Sequence, residues 1–325
     1  MAAVNRIAVL TSGGDSSGMN PCIRSITRCA IWRGLEVFGV RHGFRGLIED
    51  EIFPMNASSV SGIINQGGTV LYTSRCPEFH YEPGRGKAAD NLRTKGIDAL
   101  VVIGGDGSYR GALELHRQTG IAVIGVPGTI DNDIAGTDYT IGYDTAVNVA
   151  MEAIDKIRDT ATSHGRLLLV EVMGRHAGYI ALEVGIASGA EDILIHETPT
   201  DLDQTVERLA AGRERGKRSS IIVVAEGDEA GGAFETARLI EGKTGYTLRV
   251  SILGYLQRGG SPTARERLMA SRLGYYAVEA LRADRNCHAV GTSRERMTTV
   301  HLEEAARRRP EIEQIDLDLI QALSI

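Results

Sequence analysis

Seven apolar runs of strand length recur along the chain, at residues 6–10, 35–40, 98–103, 121–126, 166–172, 220–226 and 249–254. Most are continuous rather than alternating, the pattern of strands covered on both faces. Between them apolar residues fall at helical spacing. Cys22, Ile23, Ile26, Ala30 and Trp32 share a stripe in residues 19–33, as do Ala146, Val149, Ala153, Ile154 and Ile157 in residues 145–159. Strands alternating with helices pair in parallel, so an α/β chain is expected. Glycines cluster directly after these runs, in TSGGD, IGGDGS, VPGT, VMGRHAG and LQRGG. Ligands of open α/β sheets bind beyond the carboxyl ends of the strands, so the glycines mark a binding rim. At 325 residues the chain exceeds the usual span of one core and two domains are expected. The helix beginning near Thr145 is the expected crossing, with a return near Gln257.

A net charge of −6 and the lack of a basic tract speak against a nucleic-acid partner. The short arginine stretch Arg307 to Arg309 stands among glutamates and reads as a solvated helix face. Neither a signal peptide nor an apolar run approaching the ~18 residues of a membrane span is present, so no membrane association is expected. Cys22, Cys29, Cys76 and Cys287 form no CxxC pair. On one helix Cys22 and Cys29 would stand roughly 10 Å apart, too far to bridge. A reducing, cytoplasmic setting follows.

Three glycine-rich segments could carry chemistry. TSGGDSSGMNP, residues 11–21, has Asn20 near a helix cap and Pro21 at an early helical position, which aims backbone N–H groups at an anion. It lacks the lysine of a Walker loop, and an ordinary tight turn remains open. GGDGS, residues 104–108, sets Asp106 where a backbone can approach a polyphosphate and a carboxylate can hold magnesium. Gly105, Gly107 and Gly111 loosely imitate a dinucleotide fingerprint, but the next strand runs into Pro127 without the acidic residue that NAD binding needs. PGTIDND, residues 127–133, delivers Asp131 from a strand end as a candidate general base, with Thr129 as a nearby hydroxyl donor and Asp133 as a turn acceptor or ion-pair residue. Arg75, Arg166, Arg175, Arg249 and Arg258 lie near strand ends in an acidic chain, which suggests one local positive pocket for a multiply phosphorylated complex. His176 reads as structural or solvated.

Taken together, TSGGDSSGMN, GGDGSYRGA, PGTIDNDIAGTDYTIGYDTA, EVMGRHAGY, VVAEG and LQRGGSP resemble, in order and over nearly the whole chain, the bacterial-type ATP-dependent 6-phosphofructokinases. That resemblance implies two Rossmann-like three-layer α/β domains with mostly parallel sheets and the active site in the cleft between them. Residues 1–142 plus 257–304 would form the larger, ATP-binding domain; residues 143–256 plus 305–325 would form the smaller, sugar-phosphate-binding one. It implies transfer from ATP to the C1 hydroxyl of fructose 6-phosphate with magnesium, in a homotetramer.

By the same resemblance Asp131 is the catalytic base, with Thr129 and Arg175 beside it, and Asp106 is the magnesium-linked carboxylate. Gly13, Arg75, Cys76, Gly105, Asp106, Gly107 and Ser108 match the ATP site. The sugar-phosphate site is matched by Thr129, Ile130 and Asp131, by Met173, Gly174, Arg175 and Glu226, and by Tyr255, Leu256, Gln257 and Arg258. Arg166 and Arg249 would reach that site from a neighbouring subunit. An effector site for ADP or phosphoenolpyruvate is matched by Arg24, Arg28 and Arg158, by Gly189, Ala190 and Glu191, and by Arg215, Lys217, Arg218 and Ser219. Ala57 and Gly62 depart from it. Tyr255 stands where a histidine is usual and brings no positive charge. Cys76 replaces an aromatic residue of some members. Pyrophosphate-using relatives typically carry Asp at position 107 and Lys at 128. Both are glycine here, which favours ATP. Diacylglycerol and NAD kinases share a GGDG loop but lack the PGTIDND and MGR segments in this order. A non-catalytic sugar-phosphate-binding regulatory subunit would be expected to have lost Asp131 or Asp106.

Overall fold

The computed structural model describes residues 4–307 and 312–323. Arg308 and Arg309 of the arginine stretch therefore lie outside the described residues. Among these, eleven strands follow one another: β1 (Arg6–Thr11), β2 (Glu36–Val40), β3 (Ile52–Met55), β4 (Ala99–Gly104), β5 (Ala122–Pro127), β6 (Leu167–Val172), β7 (Asp192–Leu194), β8 (Ser220–Ala225), β9 (Leu248–Ile252), β10 (His288–Ser293) and β11 (Arg296–His301). The chain divides into two compact units, Met1–Thr145 with Arg258–Arg309, and Ala146–Gln257 with Pro310–Ile325. The first seam falls inside the opening turn of helix Tyr143–His164. Thr145, the last residue before the seam, gives its amide and hydroxyl to Glu266 of the same unit, each at 3.3 Å.

The first unit holds a seven-stranded sheet in the order β11-β10-β5-β4-β1-β2-β3. Its centre is parallel; only β3 and β11, at the edges, run antiparallel. The continuous apolar runs have the predicted consequence. Ile7, Val9, Val101 and Ile103 point into one core with helices Met19–Trp32 and Ala264–Arg282. Ala8, Leu10, Leu100 and Val102 point into the other, with helices Glu82–Thr94 and Asp106–Thr119. Each fully buried Leu or Ile stabilises this three-layer arrangement by roughly 1.5–3 kcal/mol. The helix stripe read from sequence includes one residue that packing rejects: Trp32 is exposed, with the Arg33 guanidinium 4.1 Å over its ring.

The second unit holds a four-stranded parallel sheet, β7-β8-β6-β9. Leu169, Ile222 and Val224 face helices Leu202–Glu214 and Gly232–Thr244. Leu168, Val170, Ile221 and Val223, on the opposite parity, are buried as well. In helix Tyr143–His164 the buried line is Ala146, Val147, Ala150, Ile154 and Ala161. Val149, Ala153 and Ile157, placed in the stripe by periodicity, are only half-buried. All four cysteines are free, with Cys22 and Cys287 buried. Among the described residues no helix is long and apolar enough to cross a membrane.

Candidate functional site

Because β5, β4 and β1 are neighbours, the loops leaving their carboxyl ends lie side by side. Direct bonds join them: the Ser12 N–H donates to the Ile103 carbonyl at 2.9 Å and the Gly128 N–H to the Gly104 carbonyl at 3.0 Å. The loops are in ordinary van der Waals reach of one another: a Cβ on Gly13 would stand 3.5 Å from Ser108 Oγ, and one on Gly105 would stand 3.7 Å from Thr129 Cβ. Helices Met19–Trp32 and Asp106–Thr119 start here behind Gly18 and Gly105, and no side chain caps either one. Their first-turn N–H groups are the donors an anion would use. Asn20 is not a cap. It is buried, gives its amide protons to the Gln66 and Gly67 carbonyls at 3.1 Å, and accepts the Val70 N–H at 2.8 Å, pinning the segment that leads to Arg75.

Asp131 leaves β5 through a tight local turn. Its N–H donates to Thr129 Oγ1 at 3.2 Å, so the Thr129 hydroxyl acts first as an acceptor. The segment closes on itself, since Thr140 Oγ1 donates to the Thr129 carbonyl at 2.6 Å and the Ile141 N–H to the Pro127 carbonyl at 2.8 Å. Ile130 and Asn132 are buried, Asp133 is half-buried, and Asp131 retains 8% exposure, so it is largely withdrawn from water. Gly128 is required by packing, since a Cβ there would lie 2.8 Å from Ile103 Cγ2 and 3.2 Å from the Gly104 nitrogen.

Asp106 opens its helix, and its Oδ2 meets Arg110 Nη2 at 2.5 Å one turn later. No group of three or more His, Cys, Asp or Glu residues among the described residues could cage a metal. A single partly exposed carboxylate fits magnesium, which takes one or two carboxylates and fills its remaining positions with water and phosphate oxygens. Gly107 is exposed and open, its nearest neighbour being Arg110 Nη2 at 4.0 Å. Gly111, the third glycine of the false fingerprint, is explained by packing against Phe44, 3.1 Å from where a Cβ would be. Arg75 is exposed; Cys76 is half-buried, and burial pushes its thiol up. Arg258 also belongs to this unit: its Nη1 donates to the Asp15 carbonyl at 3.0 Å and lies against Gly14.

In the second unit Met173, Gly174 and Arg175 follow β6, and Glu226 follows β8, at the carboxyl edge of the sheet. The Glu226 N–H donates to the Val172 carbonyl at 2.9 Å, and the Met173 N–H to the buried Gln257 Oε1 at 2.8 Å. A Cβ on Gly174 would lie 2.3 Å from the Ala177 carbonyl oxygen. Arg175 is held at φ 58°, a left-handed conformation that a non-glycine residue adopts at a cost of roughly 1 kcal/mol or more. Tyr255 and Leu256 are 84% and 66% exposed.

The five arginines do not form one local pocket. Arg166 precedes β6 and Arg249 lies near the start of β9, at the amino edge of the sheet from which Arg175 leaves at the carboxyl edge. Arg166 and Arg249 instead line a cavity of about 350 Å³ with Arg213, Lys217 and Arg218, where the Arg213 guanidinium lies 4.2 Å over the Tyr246 ring. Arg213 and Tyr246 were missed although each follows a glycine, Gly212 and Gly245, because those glycines lie at helix ends rather than after the strands where glycines were read as marking a site. The candidate effector residues of this unit meet in part. Arg158 Nη2 donates to the Ser188 carbonyl at 2.5 Å and to the Gly189 carbonyl at 3.4 Å. Lys217 pairs with the buried Glu191, which also accepts the Ile221 N–H. Ser219 Oγ lies 3.2 Å from Thr162 Oγ1; Ala190 is buried, and Arg215 and Arg218 are exposed. Arg24 and Arg28 lie on helix Met19–Trp32 of the first unit, half-buried and exposed.

The model of a family described as phosphofructokinase matches residues 6–281. An ATP-dependent 6-phosphofructokinase 1 of Thermus thermophilus is 52% identical over 322 residues, which span 99% of this chain and 100% of that one. The ATP-dependent 6-phosphofructokinase of Bacillus subtilis is 52% identical over the same spans. Among solved structures, the phosphofructokinase of Saccharomyces cerevisiae superposes with a TM-score of 0.88 at 34% identity, covering 98% of this chain and 47% of that longer one.

Proposed function

The chain belongs to the phosphofructokinase family, and from that premise we propose that it moves the γ-phosphoryl group of ATP to the C1 hydroxyl of fructose 6-phosphate. The observation that carries this reading is the bonded convergence of three glycine loops at the exits of β1, β4 and β5, with Asp106 and Asp131 on two of them. Phosphoryl transfer needs alignment and charge neutralisation more than a covalent intermediate. Gly13, Gly105, Gly107 and Ser108 bring backbone and hydroxyl donors to the nucleotide phosphates, with Arg75 adding charge and Cys76 lying alongside. Asp106 would hold magnesium, which when bound would neutralise charge on the transferring group. Asp131 takes the proton of the attacking hydroxyl, and its withdrawal from water keeps it close to that single task. Thr129 fixes the Asp131 backbone and retains its hydroxyl proton for the transferring group, while Arg175 neutralises charge that builds there. Ile130, Met173, Gly174, Glu226 and Tyr255 to Arg258 orient the sugar phosphate.

Fructose 6-phosphate, ATP and magnesium should give fructose 1,6-bisphosphate and ADP in a coupled assay. Turnover with pyrophosphate in place of ATP would reverse the donor assignment, and no turnover with either donor would return the regulatory-subunit reading. Arg166 and Arg249, remote from the carboxyl edge within their own sheet, serve the sugar phosphate of a neighbouring subunit in a cytoplasmic homotetramer. Mixing Asp131→Asn with an Arg166→Ala, Arg249→Ala double variant, after dissociation and reassembly, should restore activity that neither has alone. A mixture as inactive as its components removes these arginines from that role. The residues gathered around Arg158, Gly189, Glu191 and Lys217, with Arg24 and Arg28, form the candidate site for ADP or phosphoenolpyruvate.

A further inference from the structure

Glu266, on helix Ala264–Arg282, is wholly buried and takes no part in the mechanism above. Its Oε2 accepts the Thr145 N–H and hydroxyl, each at 3.3 Å, and the neighbouring Gly142 N–H favours the ionised form. These donors form the start of helix Tyr143–His164, where the segment carrying Asp131 returns to regular structure. Thr263 reciprocates. It caps its own helix by accepting the Glu266 N–H at 3.1 Å, donates its hydroxyl to the Asp144 carboxylate, and gives its N–H to Thr145 Oγ1 at 3.4 Å. Two helix starts therefore cap each other.

A third segment packs against the same side chain. Gly18, at the end of the first glycine loop, leaves room for it: a Cβ there would lie 2.9 Å from Glu266 Cγ and 2.8 Å from Ile141 Cγ2. In that loop Ser16 Oγ donates to the Ile141 carbonyl at 2.8 Å. We propose that ionised Glu266 is a positioning residue for the phosphoryl transfer, holding in place the return of the Asp131 segment, which Ser16 in turn bonds to the glycine loop after β1, and that protonation slackens this hold. For its activity readout the proposal rests on the functional reading above.

The surroundings explain why protonation comes within reach. Among the described residues Asp144, on helix Tyr143–His164, is the charged group acting on Glu266; Gly18, Ile141 and Gly142 bring none from the other segments. The flanking arginines of its own helix are engaged elsewhere, Arg265 over the Tyr139 ring and Arg267 with the Pro262 carbonyl and Ser261. Burial, with Asp144 adding to it, raises the Glu266 carboxyl from 4.5 to about 7. Because the folded value is raised, the stability this group contributes is complete below about 4.5 and is lost once pH has risen through about 7. Ionised Glu266 thus weakens the fold at neutral pH, as expected of a group that serves position rather than stability.

The test follows kcat/KM for fructose 6-phosphate with saturating ATP and magnesium across pH 5.5–9, in wild type and Glu266→Gln, with melting temperatures of both. Wild-type kcat/KM should rise through an inflection near pH 7. In the variant that inflection should vanish and the alkaline plateau should fall several-fold, while melting loses its decline between about pH 4.5 and 7. Coincident rate profiles would overturn the proposal. If Glu266→Gln does not fold, Thr145→Val removes one donor to the ionised form and should move the inflection to higher pH; an unmoved inflection overturns it equally. A wild type without sugar kinase activity would sink the functional reading, while the melting profiles would still show whether Glu266 titrates in the fold.

Discussion

Asp131→Asn is expected to lower kcat by roughly 10²-fold or more while leaving the KM values for fructose 6-phosphate and ATP within a few-fold of wild type. The amide fills the same volume on the same turn, so the bond from the residue 131 N–H to Thr129 Oγ1 and the closure by Thr140 persist. What disappears is the acceptor for the hydroxyl proton. A 10²-fold loss corresponds to about 2.7 kcal/mol of barrier, within the ordinary range for a positioned base, and the remaining rate reflects alignment and charge neutralisation that the substitution leaves intact. Steady-state kinetics on purified protein, with melting to establish folding, check it. Near-normal turnover would remove Asp131 from the base position. A raised KM with unchanged kcat would make it a binding group instead.

The sequence carried the sheet interiors and the glycine loops because both are local signals. Continuous apolar runs give β1, β4, β5, β6 and β8 directly, and glycine density locates their exits. The strands that periodicity missed lack those signals. β3 contains Pro54, tolerated because the strand is at an edge, and β7 has three residues. β10 and β11 are joined through Arg294 and Glu295 at φ 49° and 64°, a turn shape that ordinarily announces itself with Asn or Gly. Site residues divide along similar lines. Asp106 and Asp131 stand among glycines and are legible, whereas Arg110, which pairs with Asp106, is visible only once a helix places it one turn away. Glu266 is the extreme case. Nothing in TARER separates it from a solvated helix residue, and its burial arises only when two distant segments, at Gly18 and at Ile141 to Thr145, close on it.

Substitution of Gly107 by Asp should raise the KM for ATP by about 5- to 30-fold, with the KM for fructose 6-phosphate unchanged and the melting temperature preserved. The position has room, since no neighbour comes nearer than Arg110 Nη2 at 4.0 Å, and it is the second residue of helix Asp106–Thr119, where a carboxylate favours the helix dipole. The effect is therefore electrostatic rather than steric. A carboxylate ~5 Å from a phosphate oxygen repels it by about 3 kcal/mol at an effective dielectric of ~20, and screening at this exposed helix start reduces that to roughly 1–2 kcal/mol. Gly128→Lys differs in kind, because its Cβ would press on Ile103 and the Gly104 backbone before its charge reached any ligand. That variant should lose stability as well as ATP use, so the two glycines separate the electrostatic and steric parts of donor choice. An unchanged KM for ATP in Gly107→Asp would mean that the nucleotide phosphates do not approach the start of this helix, and Asp106 would lose its place beside them.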